Sequence, residues 1–586
     1  MEQRIIERAQ SWATNPYFSK EAQAEIKQLL DSSDENELTE RFYKDLEFGT
    51  GGMRSVIGMG DNRINIYTIR RATTALAMEL LSGKSERPKV AIGYDSRRFS
   101  FEFAREVAMT LAANQVEAYL FDRLNPVALL SFAVRHLKAD AGVMVTASHN
   151  PPEYNGYKVY WSDGCQVTAP NDQNIINHYN SLNDFSKLTT IEFEQGKKDG
   201  LIKIIGNEVV DAYFEAVNPY IINRQLGQEQ GKNINICYSP IHGTGLIPCL
   251  RVLESMGLTN YQVVKEQEAP DGNFPTVTSP NPENPQAMKM VGELMESCGG
   301  DIALATDPDC DRIGVALRHQ GQTHYLNGNQ IGTLMFHYVA LNLTEQSRLP
   351  ENSYLVKTIV TTELMADVAK HFHIGVENTL TGFKWICGKV REHEQNSPEK
   401  NFLFGTEESF GYLNHGHVRD KDAVAPLGLI AEMALWYKEQ DKTLLDGLDD
   451  IHRQFGFAYE DLLCLNYHGK DGAEKIKRIM EYFRKNSGEE ICGQQVVKVE
   501  DYQTQKVSYL LEQREDPLLL PVSNVLGFTF DSGMKLYLRP SGTEPKIKFY
   551  LMVREQAGGD LARAKEAAQQ RAEQVVDYLT TRSNQV

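Results

Sequence analysis

KVAIGYD (89–95), FEFAREVAMTLAANQV (101–116) and AGVMVTAS (141–148) decide the fold class. The first and third are short, mostly apolar runs that read as strands, and the second carries an apolar stripe at helical spacing. The same order returns in NINICYSP (233–240), GLIPCLRVLESMG (245–257) and YQVVKE (261–266). It returns again in YLVKTIV (354–360), TELMADVAKHF (362–372) and IGVENTL (374–380). Three strand-helix-strand blocks predict three similar α/β domains on parallel or mixed sheets.

The last part reads differently. MKLYLRPSGTEPKIKFYLMV (534–553) is strand, loop, strand, and a long helical segment follows over 560–580, which predicts a smaller α+β domain. A chain of 586 residues is too long for one core. Seams are expected near the polar stretches at 192–203 and 318–330 and between 446 and 461. The expected division is 1–205, 206–325, 326–455 and 456–586, set around one central cleft.

The formal net charge of -18 excludes nucleic acid or an anionic membrane as the main partner. An anionic substrate would need cations concentrated locally. The eight cysteines are scattered without a CxxC pair, as for free, mostly buried thiols in a reducing compartment. The first residues are charged and helix-like, without the apolar core of a signal peptide, and no run of 18 apolar residues occurs. The expectation is a cytoplasmic protein. No motif bears on oligomeric state, and a monomer is expected.

Chemistry concentrates in loops. TASHNP (146–151) places Ser148 beside His149, but the flanks lack the glycines of a hydrolase elbow. Adjacent side chains diverge, so His149 is not expected to reach Ser148; the plainest reading is a serine that caps a turn. Asp307, Asp309 and Asp311 in ATDPDCDRIGV alternate between two apolar runs and form a compact hard-oxygen site for magnesium or calcium. Arg312 at the sixth loop position and Arg318 at the twelfth exclude an EF-hand. Arg539, Ser541, Gly542 and Thr543 in RPSGTEPK can turn a guanidinium, hydroxyls and backbone N–H groups toward one anion. Glu407 and Ser409 in FGTEESFGY can address hydroxyls. TGFKWICG around Thr381 and FGTGGMRS with Arg54 are weaker glycine-bounded loops.

A metal loop, an anion nest and hydroxyl-directed carboxylates together suit an enzyme for a phosphorylated sugar, in which Ser148 carries a phosphoryl group. TASHNP, DPDCDR, GTEESFG and RPSGTEPK, in this order, resemble the α-D-phosphohexomutase superfamily of phosphoglucomutases and phosphomannomutases. The resemblance covers essentially the whole chain and is nearest to the family's longer members.

The resemblance implies a phosphoserine at Ser148 and Mg²⁺ held by Ser148, Asp307, Asp309 and Asp311. It implies Arg54 and Lys158 as acid/base groups and Arg312, Thr381, Glu407, Ser409 and Lys421 as sugar-phosphate ligands. Arg539, Ser541, Gly542 and Thr543 would then hold the non-reacting phosphate. The implied reaction interconverts α-D-glucose 1-phosphate and glucose 6-phosphate through glucose 1,6-bisphosphate. Mannose or pentose phosphates are the alternatives on the same scaffold. A DxDxT-type phosphatase would have threonine at position 311, and a non-catalytic binder would not need Ser148 and all three aspartates. Asn125 stands where the family usually has threonine.

Overall fold

The computed structural model describes residues 2–32, 34–49, 51–82, 87–467, 469–541 and 546–586. Three of its four sheets contain the same four-strand core. In the first, Lys89–Tyr94, Glu117–Phe121 and Ala141–Val145 run parallel, and Tyr154–Trp161 returns antiparallel beside Ala141–Val145. Ile236–Ser239, Tyr261–Val263, Ile302–Thr306 and the returning Ile313–His319 take these places in the second. In the third they fall to Ser353–Thr358, Gly375–Thr379, Asn401–Glu407 and Gly411–Leu413. The spatial order is the same each time: returning strand, third strand, first, second.

The central strands are apolar along their length because helices cover both faces; every residue of Ala141–Val145 and of Ile302–Thr306 is buried. Each third strand ends in a loop that leads to the returning strand. These are TASHNP, DPDCDR and the segment 408–410. All three lie at the C-terminal end of a parallel strand, where open α/β sheets place their ligands.

Two of the polar stretches near which seams are expected are made of edge elements. Residues 192–203 include helix Phe193–Lys198 and the start of Ile202–Ile205, an edge strand of the first sheet. Residues 318–330 hold the turn between Ile313–His319 and Gln322–Leu326, and then the start of helix Gly328–Glu345. Their polarity comes from an exposed edge and a hairpin turn. One apolar cluster joins the first three units, running from Ala91 and Leu130 through Leu253 and Leu304 to Phe404 and Leu435, and the first and second units each keep a further cluster of their own on the opposite side of the sheet.

The C-terminal sheet has seven antiparallel strands, with Phe457–Asn466 at one edge and Lys535–Pro540 paired to Lys546–Glu555. It packs its own core against helices that include Leu561–Gln585. It meets the third unit through Tyr502, Tyr537 and Met552 against Ile359, Val360 and Leu380. Three N-terminal helices, Gln3–Thr14, Lys20–Ser32 and Glu35–Phe42, form a satellite cluster in which Trp12 stacks on Phe18 at 4.0 Å.

All eight cysteines are free; Cys165, Cys237, Cys249, Cys310 and Cys387 are buried, and Cys464 and Cys492 are exposed. Among the described residues no helix is long and apolar enough to cross a membrane.

Two glycines contrast a crowded position beside the first loop with an open one on a helix. A Cβ on Gly156 would lie 2.4 Å from the Thr146 carbonyl oxygen, so Gly156→Ala must push the returning strand off the loop. We expect a loss of about 1–3 kcal/mol. Gly388, inside helix Phe383–Asn396, has nothing within 4 Å of that position. Gly388→Ala should gain about 0.5–1 kcal/mol from helix propensity. Thermal denaturation of both variants checks the contrast, and equal melting temperatures would contradict it.

Candidate active site

The serine loop is held from below. Thr146 Oγ1 donates to Asp95 Oδ2 at 2.6 Å and accepts the Ser148 N–H at 2.8 Å. Ser148 has φ 51°, a left-handed conformation that costs a non-glycine residue about 1–2 kcal/mol. Arg97 offsets that cost. Its buried guanidinium donates to the carbonyls of Ser148 (2.6 Å), Asn150, Pro151 (2.9 Å) and Tyr154 (3.1 Å). Asp95 pairs with Arg97 at 3.5 Å, and Phe274 of the second unit places its ring 5.0 Å from the guanidinium. Sequence reasoning missed Asp95 and Arg97. Their signal was DSR directly after a strand that is otherwise buried.

The same backbone turn corrects the reading of His149. Its Nδ1 lies 3.2 Å from Ser148 Oγ, because the left-handed residue brings the adjacent side chains to one side. Burial, with Arg312 and Arg54 nearby, holds the imidazole pKa well below its usual value, so the ring is neutral at neutral pH. Ser148 is 3% exposed, and its Oγ donates to Asp307 Oδ2 at 3.0 Å. The hydroxyl therefore faces the aspartate loop as well as the histidine.

That loop is braced by backbone from three directions. Val127 N–H donates to the Asp309 carbonyl (3.0 Å), Thr244 N–H to Pro308 (2.9 Å) and Ala423 N–H to Cys310 (3.2 Å). Asp307 Oδ1 accepts the N–H groups of Asp311 (2.9 Å) and Arg312 (3.0 Å), which folds the loop over its first carboxylate. One ligand oxygen from each of Asp307, Asp309 and Asp311 lies within 4.8 Å of the others, and all three residues are buried. Burial and mutual repulsion push Asp307 well above the usual carboxylate range and Asp311 up to about 6. Burial also works against the charge of Asp309, but Lys158, a hydrogen bond with Asp307 and Lys421 together outweigh it and pull that group down. Asp309 Oδ1 and Asp311 Oδ1 have no hydrogen-bond partner. Crowded acceptors with unpartnered oxygens fit a hard divalent cation.

Two lysines from the first and third units answer the negative charge. Lys158, on Tyr154–Trp161, donates to Asp309 Oδ2 at 2.8 Å and lies 3.7 Å from Asp311 Oδ2. Lys421, from the third unit, is 3.2 Å from Asp311 Oδ2. Burial alone would lower both lysines, but the aspartates win and raise them.

The remaining expected residues lie around this centre. Arg54 is exposed on Gly52–Val56 and donates to Asn150 Oδ1 at 2.8 Å. Gly52 before it has φ 141°, and a Cβ there would be 1.9 Å from the Tyr157 carbonyl oxygen, so that loop needs glycine for structural reasons. Arg312 pairs with Glu283, and burial lowers it to about 10. Glu407 Oε1 accepts the Gly382 N–H at 2.6 Å, which ties the Ser409 loop to the Thr381 loop. Thr381 and Ser409 are half-buried. Asn125 Nδ2 donates to the Arg123 carbonyl at 2.9 Å and so holds a turn.

In the C-terminal sheet Arg539 stands opposite Lys548 in register, and Ser541 follows at the strand's end. Gly542 and Thr543 lie outside the described residues. Lys548 was not foreseen. Burial lowers it against the pull of Glu408, with Lys546 and Arg539 adding like-charge repulsion. Clustered cations of this kind suit an anion.

Comparisons with known proteins agree with this geometry. Models of phosphoglucomutase/phosphomannomutase α/β/α domains I, II and III match residues 45–185, 211–321 and 327–455 in turn. A phosphoglucomutase of Staphylococcus epidermidis is 35% identical over 90% of this chain and 94% of its own. One from Staphylococcus aureus USA300 is 36% identical over 90% and 93%. Among solved structures, the open form of parafusin, a phosphoglucomutase from Paramecium, matches with a TM-score of 0.68 at 17% identity, over 91% of this chain and 95% of that one. A phosphoglucomutase/phosphomannomutase family protein from Burkholderia thailandensis matches at 0.59 and 18% identity, over 90% and 97%. The fold, the order of the loops and the identity over nearly the whole length agree, and the chain belongs to the phosphoglucomutase/phosphomannomutase family.

Proposed function

We propose that this chain catalyses the phosphoglucomutase reaction, interconverting α-D-glucose 1-phosphate and glucose 6-phosphate through a phosphoserine at Ser148. The observation that carries it is Ser148 Oγ, buried and 3.0 Å from Asp307 Oδ2, in a cluster that also contains Lys158 and Lys421. The relatives that are 35–36% identical over about 90% of the chain bear the phosphoglucomutase name. The four working units are 1–205, 206–325, 326–455 and 456–586, and a reducing cytoplasm suits eight unpaired cysteines.

Asp307, Asp309 and Asp311, with the oxygen of Ser148, would hold magnesium. When bound, it neutralises charge on the phosphoryl group in transit. In the forward half-reaction the sugar oxygen forms a bond to phosphorus as the bond from phosphorus to Ser148 Oγ breaks. The proton lost by the sugar hydroxyl ends on Ser148 Oγ, with Lys158 and Arg54 as the relay groups. Arg312, Thr381, Glu407, Ser409 and Lys421 orient the sugar phosphate, while Arg539, Ser541, Gly542 and Thr543 hold the phosphate that does not react. Glucose 1,6-bisphosphate then turns around, and its other phosphate returns to Ser148. Positioning and electrostatics supply most of the catalysis.

The reaction class is tested by incubating the protein and magnesium with glucose 1-phosphate and a trace of the bisphosphate. Glucose 6-phosphate should form without net inorganic phosphate. Glucose 1-phosphate should give a higher kcat/KM than mannose 1-phosphate or ribose 1-phosphate. Stoichiometric phosphate release would make the protein a phosphatase and overturn the reading.

The aspartate loop gives a second test. Asp309→Asn keeps the shape of the side chain but removes one charge and the partner of Lys158. We expect magnesium affinity and kcat each to fall at least tenfold, roughly the cost of one charge-assisted contact. Full activity of EDTA-treated wild-type protein without added metal would contradict the metal assignment.

A further inference from the structure

Lys421 belongs to the third unit by sequence, yet its segment is fastened to the other two. Arg419 N–H donates to Ser131 Oγ at 2.8 Å. Asp420 Oδ2 accepts Tyr160 O–H at 2.6 Å and Gln166 Nε2–H at 3.1 Å. Asp422 Oδ2 accepts Tyr213 O–H at 2.6 Å and lies 2.9 Å from His415 Nε2. Ala423 N–H reaches the Cys310 carbonyl inside the aspartate loop at 3.2 Å. Ser131, Tyr160 and Gln166 all come from the first unit, and Tyr160, Asp420 and Asp422 are no more than 1% exposed.

Tyr160 stands two residues after Lys158 on the same strand, so both side chains project from the same face. The strand that supplies one lysine to the aspartates thus fixes the loop that supplies the other. On the third unit's own side, the Lys421 stem passes directly over Gly411, where a Cβ would lie 2.2 Å from Lys421 Cδ. The stem has one path, set below by a missing side chain and at its root by the two flanking carboxylates.

We propose that Tyr160 and Asp420 are positioning residues for Lys421, registering its ammonium on the aspartate loop across the boundary between the first and third units. The proposal rests on the reading of Lys421 as a sugar-phosphate ligand. A buried phenol donating to a buried carboxylate is a directional contact that an apolar packing pair would not provide. It is spent here on a loop whose neighbouring residue enters the site.

A double-mutant cycle tests this in the full-length protein with glucose 1-phosphate. Tyr160→Phe removes one oxygen and keeps the ring, and Gln166→Met removes the second donor to Asp420 should the first variant fold poorly. We expect Tyr160→Phe to lower kcat/KM about ten- to a hundredfold, with the same division between kcat and KM as Lys421→Ala. Gln166→Met should give a smaller loss divided the same way. The double variant Tyr160→Phe/Lys421→Ala should be no slower than Lys421→Ala alone, because a residue acting through Lys421 has nothing left to position. Multiplicative losses in the double variant, or an unchanged kcat/KM in both Tyr160→Phe and Gln166→Met, would overturn the positioning role while leaving Lys421 as a ligand. Wild-type activity of Lys421→Ala would overturn both readings.

Discussion

Asp307, Asp309 and Asp311 bring three carboxylates into a buried space where their oxygens lie within 4.8 Å of one another. At an effective dielectric of about 20, two unit charges at that separation repel by about 3.5 kcal/mol. The chain answers with Lys158 from the first unit and Lys421 from the third, and the aspartates themselves come from the second. Most of the compensation comes from outside the second unit, whose own Arg312 stands 3.8 Å from Asp311 Oδ1. The cluster is therefore also a reason for the three units to close, since separating them would leave buried carboxylates unpaired. Two lysines against three aspartates still leave a deficit of positive charge, which a divalent cation more than covers.

The repeated sheet explains how these groups meet. In each of the first three sheets the working loop leaves the same strand and returns along the same neighbour, so each unit offers one loop at one place in its topology. Ser148, the aspartates and the Glu407–Ser409 segment are three versions of that loop, altered for three tasks. The continuous apolar core beneath them keeps the units in register. Cross-unit backbone bonds, such as Val127 to Asp309 and Ala423 to Cys310, then fix the loops at hydrogen-bond precision. The left-handed turn at Ser148 is tolerable only because Arg97 holds the carbonyls around it.

Much of this was legible in the sequence for physical reasons. Strands such as Ala141–Val145 are buried on both faces, so they read as unbroken apolar runs, and loops rich in Gly, Asp and Arg between them stand out. Other features were hidden. Asp95 and Arg97 are a buried ion pair, and charged residues in sequence look like surface. Phe457–Asn466 carries apolar residues on both faces, with Leu462 and Cys464 exposed, so its alternation is weak and the strand was not read. The pairing of Tyr160 with Asp420 spans 260 residues and leaves no local trace. His149 misled for a different reason. The rule that adjacent side chains diverge fails at a residue with positive φ, and nothing in TASHNP marks Ser148 as one.

The central claim is that Ser148 itself carries the phosphoryl group between the two half-reactions. Intact-mass measurement with fragment mapping, after incubation with magnesium and glucose 1,6-bisphosphate, tests it most directly. The account predicts one added phosphate, located on Ser148, that leaves as glucose 1,6-bisphosphate when the washed phosphoprotein meets a large excess of glucose 1-phosphate, and that is absent from Ser148→Ala. Wild-type mutase activity in Ser148→Ala, or a phosphate mapped to another residue during turnover, would contradict it.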